Sequence, residues 1–332
     1  MAGVTLLRGV IDSQGGAVCD AASLTPHLRD NLGYSAASSE YAMTDIQMTF
    51  AAATDIGRAR DVNEDAFQLV DLSTGKTFEV NPSQGTMSVG AAGALLMLSD
   101  GMGGHAAGEV ASATVIASLR AALQTAAPAP TEQRLEAAVR SANADVLAAA
   151  EVKGHHGMGA TLTAVLVEGA TAYIAEVGDS RAYLLRSGKL KQLTRDQSLV
   201  QMLVDQGLMA AEEAERSSRK NILLQAMGTT DDVRAAIGQV QLRRGDRLLL
   251  CSDGISNAIS HDELLEVLSV HGRPQSACAH LVQLANDRGG ADNLTAMVAL
   301  FDGSGLPAPD PNETVTGTFA VITDFGPERV PA

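Results

Sequence analysis

Acidic residues stand repeatedly beside glycine or asparagine where an apolar run of the chain ends. A single Asp-Gly pair after a strand is most often only a turn. Here an apolar strand followed by Ser-Asp-Gly occurs twice, at 95–101 and 248–254, and turn chemistry alone explains a repeat less easily. The acidic positions at strand ends are Glu64, Asp65, Asp100, Asp179, Asp253 and Asp292.

Convergence of these strand ends would place several carboxylates in one small volume. Like charges at short distances need cations or large pKa shifts at pH 7. A cluster made only of oxygen ligands favours hard ions such as Mg²⁺ or Mn²⁺ over zinc. The glycine that follows each aspartate has no side chain, so its carbonyl can approach an ion closely. The residues therefore predict a carboxylate-bound metal centre and favour two ions.

The elements that must position these acids are both strands and helices. The run ALLMLSD (94–100) ends at a glycine, as a buried strand does, and residues 108–123 follow as a helix. Residues 160–193 alternate, are rich in Val, Leu, Thr and Tyr, and contain glycine turns, which is typical of antiparallel hairpins. Strict βαβ alternation is absent, so the pattern predicts an α+β fold with antiparallel sheets.

Helix signals complete this pattern. Residues 198–215 predict two short helices, and Ser260 with Glu263 forms a capping box at the start of another. A further helix is predicted near 275–288, before a last strand, NLTAMVALF.

Composition excludes several classes of partner. The 332 residues carry a net charge of -15, so nucleic acid and anionic membranes are not expected to bind. Cys19, Cys251 and Cys278 fit no disulfide framework or zinc pattern, which favours a reducing compartment. The sequence shows no signal peptide and no run of about 20 apolar residues. We therefore predict a cytoplasmic protein.

Three regions are predicted along the chain. Residues 1–45 have weak periodicity and are interpreted as an N-terminal extension that need not be fully ordered. Residues 46–302 form the compact domain. Residues 303–332 are interpreted as a linker and tail, because three prolines within five positions disfavour helices and central strands. The tail also contains Thr314, Thr316 and Thr318, which phosphorylation could modify, although an ordinary disordered tail explains them more simply.

Six segments, taken in order, resemble the metal-dependent protein phosphatases of the 2C type (the PPM family), in particular their bacterial branch. Together they span about 57–300, and residues 1–45 and 303–332 lie outside the resemblance. The fold that the resemblance implies is an α-β-β-α sandwich of two antiparallel sheets flanked by helices. The segments are GRARDVNEDAF, LLMLSDGMGGHAAGEVAS, GMGATLTAVLV, AEVGDSRAYLLRSGKLKQLTRDQSLV, GDRLLLCSDGISNAIS and GGADNLTAMV.

The resemblance also implies site roles. Asp100 matches the carboxylate that bridges two metals, and Gly101 matches a carbonyl ligand of one of them. Asp253 and Asp292 match ligands of the other metal. The remaining matches are Glu64 and Asp65, as the acidic pair that binds metal directly or through water, and Arg60, as the phosphate-binding arginine.

These roles predict a serine/threonine protein phosphatase that uses Mn²⁺ or Mg²⁺. A hydroxide that bridges two ions would attack phosphorus in line, while Arg60 offsets charge on the phosphoryl oxygens. A cysteine phosphatase needs Arg six residues after its Cys, and none of the three cysteines has it; we interpret Cys251 as a buried strand residue. The expected partners are phosphoserine and phosphothreonine proteins, themselves substrates of a serine/threonine kinase, and the expected state is a monomer.

Some positions depart from the family pattern. Met102 stands where many eukaryotic relatives have a histidine, which leaves the general acid unassigned; nearby His105 is as well explained by a structural role. His156 stands where bacterial relatives often have an aspartate for a third metal, so a third ion would bind more weakly; an exposed loop histidine is the simpler interpretation. Asp196 matches another third-metal position, whereas Asp179 and Arg181 are interpreted as structural.

Two other functions remain open at this stage. A catalytically weak or inactive scaffold of the same fold would bind phosphoproteins without hydrolysis, but such proteins usually lack one or more metal ligands, and all are present here. A metal-dependent nuclease would share the carboxylates, but it needs a basic groove that this acidic chain does not offer.

Overall fold

The computed structural model describes residues 10–11, 17–18, 45–79, 81–103, 106–153, 155, 157–310, 313, 315 and 317–319. The chain divides into two units, Met1–Met43 and Thr44–Ala332. In the first unit, β1 (Val10–Ile11) pairs antiparallel with β2 (Ala17–Val18). All that follows concerns the second unit.

The second unit contains fourteen strands and seven helices among the residues that the structure describes. The strands are β3 (Gln47–Asp55), β4 (Asp65–Asp71), β5 (Lys76–Phe78), β6 (Ser83–Ser88), β7 (Ala94–Met102), β8 (Gly159–Ala160), β9 (Leu162–Glu168), β10 (Thr171–Val177), β11 (Arg181–Arg186), β12 (Lys189–Gln192), β13 (Ala236–Gln241), β14 (Arg247–Cys251), β15 (Leu294–Asp302) and β16 (Gly317–Phe319). The helices are α1 (Ala106–Thr125), α2 (Thr131–Lys153), α3 (Leu199–Asp205), α4 (Ala211–Arg216), α5 (Asp253–Ala258), α6 (His261–Val270) and α7 (Pro274–Asp287).

The strands form two antiparallel sheets. The larger sheet has the order β16-β13-β10-β9-β7-β4-β5, with β8 attached to β7. The smaller sheet has the order β12-β11-β14-β15-β3-β6. The predicted helices at 198–215 are present as α3 and α4, and Glu263 accepts hydrogen bonds from Ser260 at the start of α6, as the capping box predicts.

Three apolar layers hold the sandwich together. On β7, Leu96 and Leu98 face the core between the sheets, whereas Leu95 and Met97 face the core shared with α1 and α2. The strand is therefore buried on both faces, which explains its unbroken apolar run. On β14, Leu249 likewise belongs to a third core, shared with α6 and α7. This arrangement confirms the predicted α-β-β-α sandwich.

The two Ser-Asp-Gly motifs lie at the carboxyl ends of β7 and β14, one in each sheet. On β4, Asp65 lies directly opposite Asp100 in the antiparallel register. On β15, the segment that begins at Asp292 enters the strand beside the end of β14, where Cys251 pairs with Ala296. The strand ends that carry the predicted acids thus lie at one end of the sandwich.

The segment after residue 302 differs from the predicted linker. Leu306 and Val315 are buried in the central core, and Gly317–Phe319 pairs with β13 as the outermost strand of the larger sheet. This segment contacts the domain through single side chains and one three-residue strand, so its sequence shows no apolar periodicity. The prediction of a linker therefore rested on the prolines. Thr314 and Thr316 lie outside the described residues, and Thr318 lies within β16.

Candidate metal centre

A cavity of about 410 Å³ opens at this end of the sandwich. Acidic side chains from both sheets line it, as do Arg60 and Met102. Its remaining wall comes from the segment after α4, where Asn221, Leu223 and Gln225 face it. The acidic residues of the lining are Glu64, Asp100, Asp179, Asp253 and Asp292.

Hydroxyl groups hold the acidic strand ends in place. Ser99 Oγ donates to Thr161 O over 2.6 Å, and the Asp100 amide donates to Thr161 Oγ1 over 2.9 Å. In the other sheet, Ser252 Oγ and Thr295 Oγ1 donate to Asp65 Oδ2 over 2.8 and 2.6 Å. The serine of each Ser-Asp-Gly motif thus fixes the strand ends around the cavity, a role that sequence reasoning missed, although the repeated Ser was its signal.

Asn293 is a second residue whose role the sequence analysis missed. Its Oδ1 accepts a hydrogen bond from the Glu64 amide over 2.8 Å, and its Nδ2 donates to the carbonyls of Ile56 and Val62, both over 3.0 Å. The buried side chain of Asn293 therefore fastens the loop that carries Arg60 to the start of β15.

The glycines of the two motifs are required by packing. A Cβ at Gly101 would lie 2.1 Å from the carbonyl oxygen of Gly108 in α1. A Cβ at Gly254 would lie 2.1 Å from the carbonyl oxygen of Asn293. Both distances are far below van der Waals contact, so each glycine lets a neighbouring backbone approach the acidic strand end.

Arg60 and Asp292 form an ion pair in this structure. The distance from Arg60 Nη2 to Asp292 Oδ2 is 2.8 Å, and the arginine side chain is 46% exposed. The predicted phosphate ligand therefore engages a predicted metal ligand at the mouth of the cavity.

The remaining carboxylates of the site repel one another. Burial, followed by the charges of Asp65 and Asp253, raises the pKa of Asp100 well above its usual range. Burial raises the pKa of Asp65 to about 7, although the hydrogen bonds from Thr295 and Ser252 act to lower it. The pKa of Asp253 rises to about 6, first through burial and then through Asp292. The site thus holds more negative charge than its cations balance.

The donor set suits hard divalent cations. All its side-chain donors are carboxylate oxygens, and Asp65 Oδ1 is buried with no hydrogen-bond partner among the described residues. No three Asp, Glu, His or Cys side chains in the described part of the chain are already arranged as a metal-binding set. Arg60 engages Asp292 Oδ2, so an ion that used this oxygen would displace the arginine, whereas the two hydroxyls that engage Asp65 leave its Oδ1 without a competing hydrogen bond.

Of four further positions that the sequence singled out, two lie among the described residues. Asp196 accepts hydrogen bonds from Arg181 Nε over 2.9 Å and from Arg181 Nη2 over 2.6 Å, and it does not line the cavity. Asp179, which is interpreted from the sequence as structural, lines the cavity, and its role stays a prediction. His156 lies outside the described residues, as does His105.

Comparison with known proteins shows which family the chain resembles. A sequence model of the family described as protein phosphatase 2C matches residues 83–298. The chain belongs to this family. The chain is 40% identical over 253 residues to the serine/threonine protein phosphatase PstP of Mycobacterium tuberculosis, a match that covers 76% of this chain but only 45% of that protein. It is 35% identical to the serine/threonine phosphatase stp of Listeria monocytogenes, over 75% of this chain and 94% of that protein.

Solved structures agree with this assignment. A crystal structure of PstP superimposes with a TM-score of 0.66 at 36% identity and covers 77% of this chain and 99% of that one. A structure of the PstP catalytic domain in complex with two manganese ions gives a TM-score of 0.64 at 36% identity, with the same coverage. The predicted resemblance to the bacterial branch of the 2C-type phosphatases is therefore confirmed.

The structure adds one finding on membrane association. No helix among the described residues is both long enough and apolar enough to cross a bilayer.

Proposed function

We propose that this chain hydrolyses phosphoserine and phosphothreonine on proteins with the help of bound Mn²⁺ or Mg²⁺. The observation that carries the proposal is the cavity in which carboxylates from both sheets meet with unbalanced negative charge. The names of the relatives support the reaction, and the manganese ions of the PstP structure support the metal.

The chain offers ligands for two divalent ions. Asp100, Asp253, Asp292 and the Gly101 carbonyl would hold them, with Glu64 and Asp65 as the further acidic pair. When bound, such ions activate water and neutralise phosphoryl charge. A third, weaker ion at Asp196 or His156 stays a prediction, and Asp196 would first have to leave Arg181.

Arg60 is the phosphate ligand that we propose. Its half-exposed guanidinium lies at the cavity mouth, and its planar fork can donate two hydrogen bonds to a phosphoryl group. Its present partner, Asp292, becomes available as an ion ligand when Arg60 turns to substrate. Met102 lines the cavity and cannot donate a proton, so the leaving oxygen must take its proton from another acid.

Release of phosphate from a phosphothreonine peptide tests the proposal. We expect activity with Mn²⁺, none with excess chelator, and a loss of more than about 100-fold in Asp253→Asn, beyond what the loss of an outer partner of a metal site costs. Asp262→Asn, the same change at an exposed position of α6, serves as the control and should keep full activity. Metal-independent activity that Asp253→Asn leaves intact would refute the proposal.

The same sample tests the alternative of an inactive scaffold. Such a protein would bind phosphopeptide in calorimetry without Mn²⁺ binding or turnover. No described feature favours it, because every side chain predicted to hold the two main ions is present and all but Asp65 line the cavity. A partner kinase, a monomeric state and a cytoplasmic location stay predictions, to be checked by phosphoproteomics, light scattering and cell fractionation.

A further inference from the structure

The walls of the cavity differ in chemistry. The carboxylates of the strand ends and Arg60 form a charged wall. The segment at 221–229, which follows α4, forms another, and it lines the cavity with the apolar side chains of Leu223, Leu224 and Ala226. This second surface is called the apolar wall below.

Backbone hydrogen bonds fix the apolar wall beside the metal centre. The amide of Leu224 donates to the Gln197 carbonyl over 2.8 Å. Met227 and Ala160 exchange two bonds, because the amide of each donates to the carbonyl of the other, over 2.8 and 3.1 Å. Since Ala160 in β8 pairs with the end of β7, the apolar wall is fastened to the strand that carries Asp100.

Two polar side chains of the apolar wall have partners inside the protein. Gln225 Nε2 donates to Gln197 Oε1 over 2.8 Å and to the Arg234 carbonyl over 2.6 Å. Thr229 Oγ1 donates to the Ala226 carbonyl over 2.8 Å. These polar atoms are engaged within the protein, so the wall contacts a substrate mainly through apolar atoms.

Met102 extends this apolar surface to the first Ser-Asp-Gly motif. A Cβ at Gly159 would lie 2.9 Å from Thr229 Cγ2 and 3.5 Å from Met102 Cγ. The methyl group of Thr229 and the side chain of Met102 therefore lie on the same side of Gly159, and both line the cavity. An apolar surface thus begins one residue after Gly101 and continues to the apolar wall.

This surface gains free energy when a ligand covers it. Leu223 and Leu224 are only half-buried although they face a concave site, and covering apolar area is worth about 25 cal/mol per Å². The phosphoryl group itself belongs at Arg60 and the carboxylates. The part of a phosphoprotein that can cover the apolar wall is therefore a side chain next to the phosphorylated residue.

We propose that the apolar wall and Met102 form a subsite for an apolar side chain directly beside the phosphorylated residue, so that the protein selects phosphoproteins with such a neighbour. This inference rests on the proposed function and deepens it, since it names a substrate class. The subsite acts on affinity and not on the reacting atoms.

Matched phosphothreonine peptides test the inference. Leu, Asn or Glu is placed directly before or directly after the phosphothreonine, and kcat/KM is measured with Mn²⁺. Leu and Asn have similar shapes, so their comparison isolates polarity. We expect the wild-type protein to prefer Leu over Asn by about ten-fold at one of the two positions, through KM. Glu should be the poorest of the three, because the carboxylates of the cavity repel it.

Variants of the apolar surface assign this preference. Leu224→Asn and Met102→Gln should each reduce the Leu-to-Asn ratio to less than about three, whereas Leu224→Met should retain it. Leu208→Asn is the matched control, because Leu208 is 69% exposed and lies outside the lining of the cavity. It should keep the wild-type ratio.

Several results would overturn the inference. Turnover by the wild type with a Leu-to-Asn ratio of one, or with Glu preferred, removes the subsite and leaves the proposed function intact. An unchanged ratio in both Leu224→Asn and Met102→Gln does the same. An equal fall in kcat/KM for all peptides in Leu224→Asn would give the wall a structural role only. Absence of turnover of any peptide by the wild type would reject the proposed function and this inference together.

Discussion

The two ends of the sandwich differ in whether their buried charged side chains have partners of opposite charge. At the metal end, Asp65, Asp100 and Asp253 face one another with raised pKa values. At the other end of β11 and β14, Arg186 and Asp246 are 2% and 0% exposed, yet they are fully paired. Arg186 donates to both carboxylate oxygens of Asp246, over 2.9 and 2.6 Å, and to the Gln241 carbonyl over 2.6 Å.

The difference separates structural charge from functional charge. A buried charged side chain is tolerated when the fold supplies partners of opposite charge, and it destabilises the folded state when the fold does not. At the far end the fold supplies every partner, including Glu313 from the segment after residue 302, whose carboxylate lies 3.2 Å from Arg186. At the metal end the fold brings together acids that a divalent cation from solution would balance. Substitutions, pH and Mn²⁺ should therefore affect the two ends differently.

The largest effect is expected at the paired end. Arg186→Met should lower the free energy of unfolding by about 3–5 kcal/mol, because Asp246 would remain buried without its cation. Urea denaturation measures this. Arg140→Met, the same change at an exposed position of α2, should shift the value by less than about 0.5 kcal/mol. A change of less than about 1 kcal/mol in Arg186→Met would contradict the comparison, because the end that holds Asp246 would then tolerate an unpaired buried charge.

In the metal-free protein, the change of stability with pH should come from the carboxylates of the metal end. Asp65 and Asp253 have folded pKa values of about 7 and about 6, above the ordinary value for Asp. The folded state therefore binds more protons, so their contribution is complete below about pH 4 and is lost as pH rises through 6 to 7.

We expect the free energy of unfolding to fall by on the order of 3 kcal/mol between pH 5 and 8 in chelator. Asp253→Asn removes one of the two groups and should flatten the curve. A curve of constant stability over this range, or one that rises with pH, would contradict the charge imbalance at the metal end.

Mn²⁺ should stabilise the protein through the metal end alone. At about 100 times its dissociation constant, one ion adds about 2.7 kcal/mol to the free energy of unfolding. Thermal denaturation with and without Mn²⁺ measures the shift. Asp253→Asn should lose most of it, whereas Glu313→Gln should keep it. A full Mn²⁺ shift in Asp253→Asn would place the ion elsewhere.

The smallest effect is expected from Glu313→Gln. Its carboxylate is 20% exposed and contacts Arg186 and Arg243, which together with the Asp310 amide lower its pKa against the cost of burial. The neutral amide should cost about 1 kcal/mol, since Asp246 still pairs with Arg186. Glu212→Gln, an exposed change in α4, is the control, and equal effects in the two variants would show that the segment after residue 302 adds nothing to this end.

The site residues that could be predicted from the sequence were those in repeated or short local motifs. Asp100 and Asp253 were found because Ser-Asp-Gly occurs twice after an apolar strand, and Asp65 and Arg60 followed from the family resemblance. Arg181 pairs with Asp196, fifteen residues away, and no local pattern in the sequence indicates this partner.

The sequence by itself determined the family, the types of element and the identity of the acids that converge. Apolar periodicity and short motifs are local properties, so they can be read along the chain. Only the tertiary structure decided which of these charges have partners, because a buried carboxylate is balanced or left unbalanced by groups within a few ångströms, and those groups come from distant parts of the chain. Asp246 meets Arg186, sixty residues away, whereas Asp100 meets Asp65 across the β4–β7 register.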